Sequence, residues 1–382
     1  MKILIIHNYY QLRGGEDAVF EQEFELLKQN NEVEALIFYN KGGLQGAFQF
    51  LLSCWNIFAS IRLKKCIDNF QPDIIHLHNW HFASGPIIIR TANKLGIPLV
   101  FTLHNYRLLC PSSTLLNNGS LFTDSLNASF PWSAVEKKVY RDSYLQTFWL
   151  AFIVYFHKKI GTWEMVTKYI TLNNFAKELF IHSSLKISAH QFITKPNFVA
   201  YPAIQSLVSE NYFLFVGRLS EEKGIRILIN AFQNSTYKLK IAGEGPLRNF
   251  IIQSCQSNKN IEYLGSLNKS EIQLVMQKCT ALIFPSIWYE PFGLVIIEAF
   301  SFGVPVISSN IGAPIELIQD GINGLHFKVG SSLILFEKLN FWQNLSKIDK
   351  AKFRENATAT YTKLYTPEIN RAQLQNIYQN VI

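Results

Sequence analysis

Two glutamates, Glu290 and Glu298, bracket a short turn in the second half of the chain. The apolar run Ala281–Phe284 ends at a proline just before this turn, and a second apolar series begins at Leu294 just after it, so we expect a buried strand followed by a helix. Unpaired backbone N–H groups at the start of that helix favour an anion such as phosphate. A carboxylate on each side of the anion would accept hydrogen bonds from hydroxyls. The spacing therefore predicts a site for a nucleotide sugar, in which hexose, pyrophosphate and ribose follow one another.

The amides of this turn belong to Phe292, Gly293 and Leu294, and Gly293 lets a ligand approach the backbone closely because it has no Cβ. For an arbitrary pair of glutamates, a loop charge and a helix-face charge would be the ordinary interpretation. Here the intervening residues matter as well. The segment Glu-Pro-Phe-Gly-Leu-x-x-x-Glu resembles the E-x7-E signature of retaining glycosyltransferases of family 4, which have the GT-B fold of two Rossmann-like domains.

Two cations, Arg218 and Lys223, converge on the end of a predicted strand that begins at Tyr212. Cations at the start of the helix that follows could balance a pyrophosphate, although a solvated turn would carry them equally well. Their segment, Gly-Arg-Leu-x-x-Glu-Lys-Gly, resembles the family 4 segment in which the arginine and lysine clamp the donor phosphates. A later predicted strand ends at Gly265, where members of the family commonly contact the nucleotide base.

Near the amino terminus, a predicted strand at residues 2–7 leads through Gly14 and Gly15 into a helix. A glycine pair before a helix is, taken alone, usually a simple turn. The loop Gly-Gly-Glu-Asp nevertheless resembles, as a variant, the Gly-Gly-x-Glu-type loop of family 4, which approaches the donor phosphates and the acceptor. The resemblance therefore implies a donor-binding role for both glycines.

His104 follows a predicted strand at residues 99–103, and ligands of parallel sheets bind beyond the carboxyl ends of the strands. The segment Phe-Thr-Leu-His-Asn-Tyr-Arg resembles the family stretch whose histidine reaches the donor sugar. Three further histidines, His76, His78 and His81, crowd the end of the preceding strand. No carboxylate or cysteine accompanies them in the sequence, so we interpret them as lining of a ligand cleft rather than as metal ligands.

Strand-like apolar segments alternate with helical stretches in both halves of the chain, which is typical of parallel sheets with helices on both faces. In the first half, strands are expected at residues 33–38 and 73–77, and helices at residues 44–70 and 85–95. The predicted fold class is α/β. By resemblance it is GT-B, with two Rossmann-like parallel-sheet domains that face each other across a cleft.

The predicted domain bounds follow from two prolines without hydrophobic periodicity and from the helical character of the end of the chain. We expect residues 1–198 and residues 211–365 to form two domains joined by a linker at residues 199–210. By resemblance, the first is the acceptor-side domain and the second binds the nucleotide sugar. Residues 366–382 form a helix that crosses back onto the first domain.

Composition limits the partners and the compartment. The chain has 382 residues, 48% of them hydrophobic, which suffices for two cores. A formal charge of +8 favours anionic partners, but the basic residues are dispersed and no nucleic-acid-binding motif is present, so nucleic acid is not expected. Five scattered cysteines and an initial apolar run too short for a signal peptide indicate a reducing cytoplasm.

The resemblance implies retaining transfer of a hexose from a UDP- or GDP-linked sugar to a saccharide acceptor, free or lipid-linked, in cell-surface polysaccharide biosynthesis. No metal and no cofactor are expected. By resemblance, Arg218 and Lys223 stabilise the leaving diphosphate, Glu290 orients the sugar, Glu298 holds the ribose and His104 fixes the sugar from the opposite domain. Two alternatives stay open: a sugar-nucleotide 2-epimerase of the same fold, and a catalytically silent protein that binds nucleotide sugars as the partner of another transferase.

Two aromatic segments, at residues 44–65 and 145–156, are flanked by lysines and arginines. Each fits either a core helix or a helix that lies in the membrane interface. Because the net charge is +8 and many family members act on lipid-linked saccharides, we favour peripheral contact with an anionic leaflet at the inner face of the cell membrane.

Overall fold

The computed structural model describes residues 1–11, 13–202, 210–233 and 235–382. The chain forms two compact units. The first unit consists of Met1–Asn117, Phe122–Asn197 and Asn370–Ile382, and the second consists of Asn118–Leu121 and Phe198–Ile369. Of the predicted linker at residues 199–210, residues 203–209 lie outside the described residues.

The first 202 residues carry eight strands and seven α-helices among those described. The strands are β1 Lys2–Tyr9, β2 Glu32–Tyr39, β3 Ile74–Leu77, β4 Leu99–Leu103, β5 Leu116–Asn117, β6 Ser120–Leu121, β7 Lys168–Thr171 and β8 Phe192–Thr194. The helices are α1 Gly15–Lys28, α2 Gly43–Leu52, α3 Ile57–Phe70, α4 Ile87–Lys94, α5 Trp132–Glu136, α6 Tyr144–Lys159 and α7 Asn174–Ile181.

The sheet of the first unit is parallel throughout, in the order β2-β1-β3-β4-β7-β8. Its central strands are buried over most of their length, as expected for strands covered by helices on both faces. The predicted helix at residues 44–70 is wrong as a single element. It is interrupted at residues 53–56, where the side chain of Asn56 accepts a hydrogen bond from the Ala59 amide and starts α3 anew.

The rest of the chain carries six strands and eight α-helices among the described residues. The strands are β9 Tyr212–Val216, β10 Lys238–Ala242, β11 Ile261–Gly265, β12 Ala281–Phe284, β13 Val306–Ser309 and β14 Gly324–Phe327. The helices are α8 Ile225–Gln233, α9 Arg248–Ser257, α10 Lys269–Lys278, α11 Leu294–Ser301, α12 Pro314–Leu317, α13 Ser332–Asn344, α14 Lys347–Leu364 and α15 Pro367–Gln379.

The second sheet is also parallel, in the order β11-β10-β9-β12-β13-β14. The last helix, α15, packs its apolar face into the core of the first unit, where Leu374, Ile377 and Tyr378 share a buried cluster with Ile3 and Ile74. The predicted fold class, two parallel-sheet α/β domains with a C-terminal helix that returns to the first, is confirmed.

Candidate active site

The turn between β12 and α11 places the two predicted glutamates. Gly293 lies immediately before α11 with φ = +90°, a left-handed conformation that favours glycine. A Cβ at this position would come within 3.1 Å of the Ile296 side chain and 3.4 Å of the Phe284 ring. The turn therefore combines a backbone that needs glycine with a helix start whose first amides have no partner within the helix.

In the second unit, Lys223 and Glu290 form an ion pair with 2.6 Å between Nζ and Oε2. The indole N–H of Trp288 donates to the same carboxylate oxygen at 2.8 Å. The Lys223 ammonium also lies over the Phe284 and Trp288 rings, at 5.7 and 5.3 Å from their centroids. The side chains of Lys223 and Glu290 remain 20% and 10% exposed, so both groups are held in place and still accessible to a ligand.

Close backbone contacts fix the loops that carry this pair. Gly224 has φ = +70°, and a Cβ there would lie 1.9 Å from the Pro285 carbonyl oxygen. The Ile287 amide donates to the Glu222 carbonyl at 2.9 Å, which joins the two loops directly. Beyond the end of β13, Gly312 packs against the backbone of Glu290. The loops after β9, β12 and β13 thus support one another.

The other predicted donor-binding residues of the second unit are placed as follows. Arg218 is exposed, and its side chain makes no ion pair within the part of the chain that the structure describes. Gly265 ends β11 with φ = +74° and open space around it.

Phe292 is buried against Tyr365, so only its backbone amide is available. Glu298 lies half-buried on α11, and burial raises the pKa of its carboxyl group. Leu294 begins α11.

In the first unit, His104 follows β4 and its Nε2 lies 3.0 Å from Nδ1 of His78. Burial, helped by nearby positive charge at Lys195, lowers the pKa of His104 to about 3. The imidazole is therefore neutral at physiological pH, with one protonated nitrogen and one acceptor nitrogen. His104 is suited to hydrogen bonding rather than to carrying positive charge.

His76, His78 and His81 are all buried in the first unit, and His78 and His81 line a small pocket there together with His104. Their interpretation as lining of a ligand cleft stays a prediction. A carboxylate also accompanies them, since folding brings Glu23 of α1 to 3.4 Å from His78. Ligand atoms of Glu23, His76 and His78 lie within 4.8 Å of one another, close enough for a metal site.

The nitrogens of His76 and one oxygen of Glu23 have other partners, however. Both ring nitrogens of His76 are hydrogen-bonded, to Thr102 and Tyr378, each at 2.7 Å. The ammonium group of Lys195 lies 2.5 Å from Glu23, where it supplies the positive charge that a cation would bring. Hydrogen bonds and the Lys195–Glu23 ion pair therefore hold most of this cluster, and Oε2 of Glu23 and Nε2 of His78 are left without a hydrogen bond among the described residues.

Gly14 and Gly15 are exposed at the start of α1, and an aspartate anchors their loop. The Gly14 amide donates to Asp17 at 2.8 Å, and the other Asp17 oxygen lies 2.7 Å from Nε2 of His7. Asp17 is fully buried, so this pairing satisfies its carboxylate and fixes the loop against β1.

Glu16, which directly follows the two predicted donor-binding glycines, is a candidate site residue that the sequence analysis missed. Its two carboxylate oxygens accept hydrogen bonds from the side-chain amides of Asn79, at 2.8 Å, and Asn105, at 3.1 Å. Burial, and then the negative charge of Asp17, raise the pKa of Glu16 to about 7. The available signal was that Asn79 and Asn105 each follow the carboxyl end of a neighbouring strand, where polar side chains converge.

Family models match both halves of the chain. Residues 24–154 match the model described as Glycosyltransferase Family 4, and residues 202–360 match that described as Glycosyl transferases group 1.

Individual proteins are similar over longer stretches. An uncharacterized glycosyltransferase of Methanocaldococcus jannaschii is 26% identical over 362 residues, 89% of this chain and 87% of that protein. The O-antigen chain mannosyltransferase C of Escherichia coli is 29% identical over 46% of this chain and 48% of its own. The crystal structure of Anabaena HepE in complex with UDP has a TM-score of 0.70 at 18% identity and covers 100% of both chains.

Proposed function

Because this chain is a glycosyltransferase with the GT-B fold, we propose that it transfers a hexose from a UDP- or GDP-linked sugar to a saccharide acceptor with retention of anomeric configuration. The observation that carries the proposal is the accessible Lys223–Glu290 pair, held by Trp288 beside the amides at the start of α11. The UDP bound by HepE supports a nucleotide donor. The O-antigen transferase supports a saccharide acceptor, free or lipid-linked, in surface polysaccharide biosynthesis.

The charge that develops on the leaving diphosphate is stabilised by protein groups. Lys223 and the exposed Arg218 supply cations, and the amides of residues 292–294 supply aligned donors at the positive end of a helix. Preorganised charge of this kind is often the largest contribution to catalysis. The proposed reaction therefore needs no metal ion and no cofactor.

The remaining site residues orient the donor. Glu290 has one oxygen fixed by Lys223 and Trp288, and its other oxygen is left to accept a bond from a sugar hydroxyl. Glu298 holds the ribose, and the open position at Gly265 admits the base. In the first unit, His104 binds a sugar hydroxyl, and the loop of Gly14 and Gly15 approaches the phosphates.

Retention follows from attack on the face that the diphosphate leaves. The acceptor oxygen forms its bond to the anomeric carbon as the bond from that carbon to the phosphate oxygen breaks. The acceptor proton passes to the departing phosphate. No residue of the chain is assigned as a covalent nucleophile.

A screen of nucleotide sugars for thermal stabilisation tests the donor first, because a ligand that binds the folded state raises the melting temperature with its concentration. We expect one UDP- or GDP-sugar to stabilise the protein and to be consumed only when a saccharide acceptor is present. Consumption without acceptor that gives an epimer and no free diphosphate would identify an epimerase. Tight binding without turnover under any condition would identify a silent binding partner.

For the location of the enzyme, we propose peripheral attachment to an anionic leaflet on the cytoplasmic side through α2 and α3. Leu44 is 92% exposed and Phe58 71% exposed, and Phe48 and Ile61 are exposed as well. Exposed lysines and an arginine accompany them on α3, at Arg62, Lys64 and Lys65. Apolar side chains beside cations suit a surface that enters an anionic interface.

The second aromatic segment, within α6, behaves differently. Leu150 and Ile153 are core residues, and Trp149 donates a hydrogen bond to the Phe50 carbonyl of α2. The exposed large apolar side chains of α6 lie in its first turns, chiefly at Tyr144 and Leu145. Among the described residues, every helix is too short or too polar to cross a membrane.

Sedimentation with lipid vesicles tests the attachment. We expect binding to anionic vesicles that weakens with salt, and little binding to neutral ones. The variant Phe48→Ser/Phe58→Ser should lose it, whereas Phe341→Ser, a change of one exposed phenylalanine on α13, should not. Equal, negligible binding to both vesicle types would refute the attachment.

A further inference from the structure

A buried ion pair forms the start of a chain of polar contacts that leads to His104. Nζ of Lys195 lies 2.5 Å from Oε1 of Glu23, and the two side chains are 1% and 0% exposed. A charged pair so deep in the protein is costly to desolvate and contributes little net stability compared with apolar residues. Its presence in the first unit calls for a role other than stability.

The second oxygen of Glu23 determines the tautomer of His78. Oε2 lies 3.4 Å from Nε2 of His78, an ion-pair contact rather than a formed hydrogen bond, and both atoms are buried with no hydrogen-bond partner among the described residues. A carboxylate paired with an ammonium is ionised and only accepts hydrogen bonds. A carboxylate at this distance attracts an N–H group and repels a nitrogen lone pair, so we infer that the proton of the His78 ring is on Nε2, facing Glu23.

The tautomer of His78 in turn determines that of His104. Burial lowers the pKa of His78 and of His104 far below neutrality, so each ring carries one proton. With its proton on Nε2, His78 has an acceptor at Nδ1, and Nε2 of His104 lies 3.0 Å from that atom. His104 must therefore donate through Nε2–H, which leaves its Nδ1 as a lone-pair acceptor.

We propose that Lys195, Glu23 and His78 are positioning residues that lock His104 as the Nε2–H tautomer, so that its Nδ1 accepts a hydrogen bond from a sugar hydroxyl. The role of the hydroxyl rests on the proposed function, but the tautomer does not. Without the ionised Glu23, His78 could protonate at either nitrogen, and His104 would carry its proton on Nδ1 in a fraction of molecules. In those molecules a sugar hydroxyl that donates toward His104 would face a second donor, and the hydrogen bond would be lost.

Nitrogen-15 NMR of the full-length protein with labelled histidine tests the lock without any activity assay. The signals of His104 and His78 are assigned by their loss in His104→Asn and His78→Asn. We expect both rings to be neutral Nε2–H tautomers at pH 7. An Nδ1–H tautomer or an imidazolium at His104 would overturn the proposal, and so would stoichiometric metal in the purified protein.

The matched variant is the double change Glu23→Gln/Lys195→Met, which removes both charges and leaves no unpaired charge in the core. The side-chain amide introduced by Glu23→Gln can donate to Nε2 of His78, so we expect His104 to shift toward the Nδ1–H tautomer. Turnover should fall about tenfold, the loss expected for one hydrogen bond, while the affinity for free nucleoside diphosphate stays unchanged. An unchanged tautomer in the folded double variant would overturn the proposal.

Tyr378→Phe is the control. It also removes a buried hydrogen bond in this cluster, that between the Tyr378 hydroxyl and Nδ1 of His76, but it leaves the path from Lys195 to His104 intact. We expect a lower melting temperature with an unchanged His104 tautomer and unchanged turnover. If the wild type shows the predicted tautomer but transfers no sugar, the proposed function fails and the lock stands.

Discussion

Each unit contains a lysine–glutamate pair of nearly the same length, and the two pairs have opposite surroundings. Lys223 and Glu290 are 2.6 Å apart and partly exposed at the end of a sheet. Lys195 and Glu23 are 2.5 Å apart and almost completely buried. The first pair is placed to meet a ligand, and the second can act only through its neighbours. If the proposed roles hold, distance alone does not distinguish a catalytic pair from a positioning pair, whereas access to solvent does.

The largest effect on stability is expected from breaking the buried pair on one side only. Lys195→Met leaves the Glu23 carboxylate without its counter-charge, and such a change costs about 3 to 5 kcal/mol of unfolding free energy. Urea denaturation measures this loss. The double change with Glu23→Gln should recover most of it, and a double variant as unstable as the single one would show that the pair was not the cause.

Changes to the accessible Lys223–Glu290 pair should lower activity and leave stability nearly unchanged. We expect Lys223→Ala and Glu290→Gln each to lower turnover at least about a hundredfold, because each removes a preorganised charge, with little change in melting temperature. Arg226→Ala is the control. Arg226 forms an ion pair with Glu221, close to Lys223 in the sequence, but both side chains of that pair are exposed to solvent. Near-normal turnover in either test variant would exclude that residue from the mechanism.

The sequence could predict the residues of the accessible pair but not the contact within the buried pair. Lys223, Glu290 and Gly293 lie in short segments whose composition indicates a loop and a helix start, so local patterns located them. Glu23 and Lys195 are 172 residues apart, and their contact exists only after the sheet and α1 have packed. No local pattern could show that a carboxylate joins His78.

The alternation of strands and helices could also be predicted from the sequence, because central parallel strands are mostly apolar. The interruption of the predicted helix at residues 44–70 could not be predicted, because the apolar spacing continues across it and the break depends on a cap at Asn56. The raised pKa of Glu16 also depends on burial that the sequence does not encode locally.

A comparison of Gly224 with Gly265 distinguishes the stability cost of a left-handed backbone from the cost of steric contact in the loops of the second unit. Gly224 and Gly265 have nearly the same φ, +70° and +74°, but only Gly224 is packed against another backbone. Gly265→Ala should cost about 1 kcal/mol of stability, from the left-handed backbone alone. Gly224→Ala must also displace the Pro285 carbonyl, so we expect a larger loss and lower turnover. Equal losses by urea denaturation would contradict the close packing of the loops that carry Lys223.

In the first unit, Glu16 predicts a pH dependence of stability. Its pKa in the folded protein, about 7, lies above the ordinary value, so the folded state binds the proton more tightly than the unfolded state. The resulting stability is present at low pH and is lost as the pH rises through 7. Relative to Glu16→Gln, the wild type should lose up to about 3 kcal/mol between pH 4 and pH 8. A constant difference between the two proteins would show that Glu16 titrates normally.

The most direct test of the proposed reaction is the anomeric configuration of the product, formed from the donor that stabilises the protein and a saccharide acceptor in excess EDTA. Proton NMR of the product reports the configuration through the coupling of the anomeric proton. We predict the configuration of the donor, with one nucleoside diphosphate released per sugar transferred and no loss of rate through chelation. An inverted product, or a reaction that stops with EDTA and resumes with magnesium or manganese, would contradict the account.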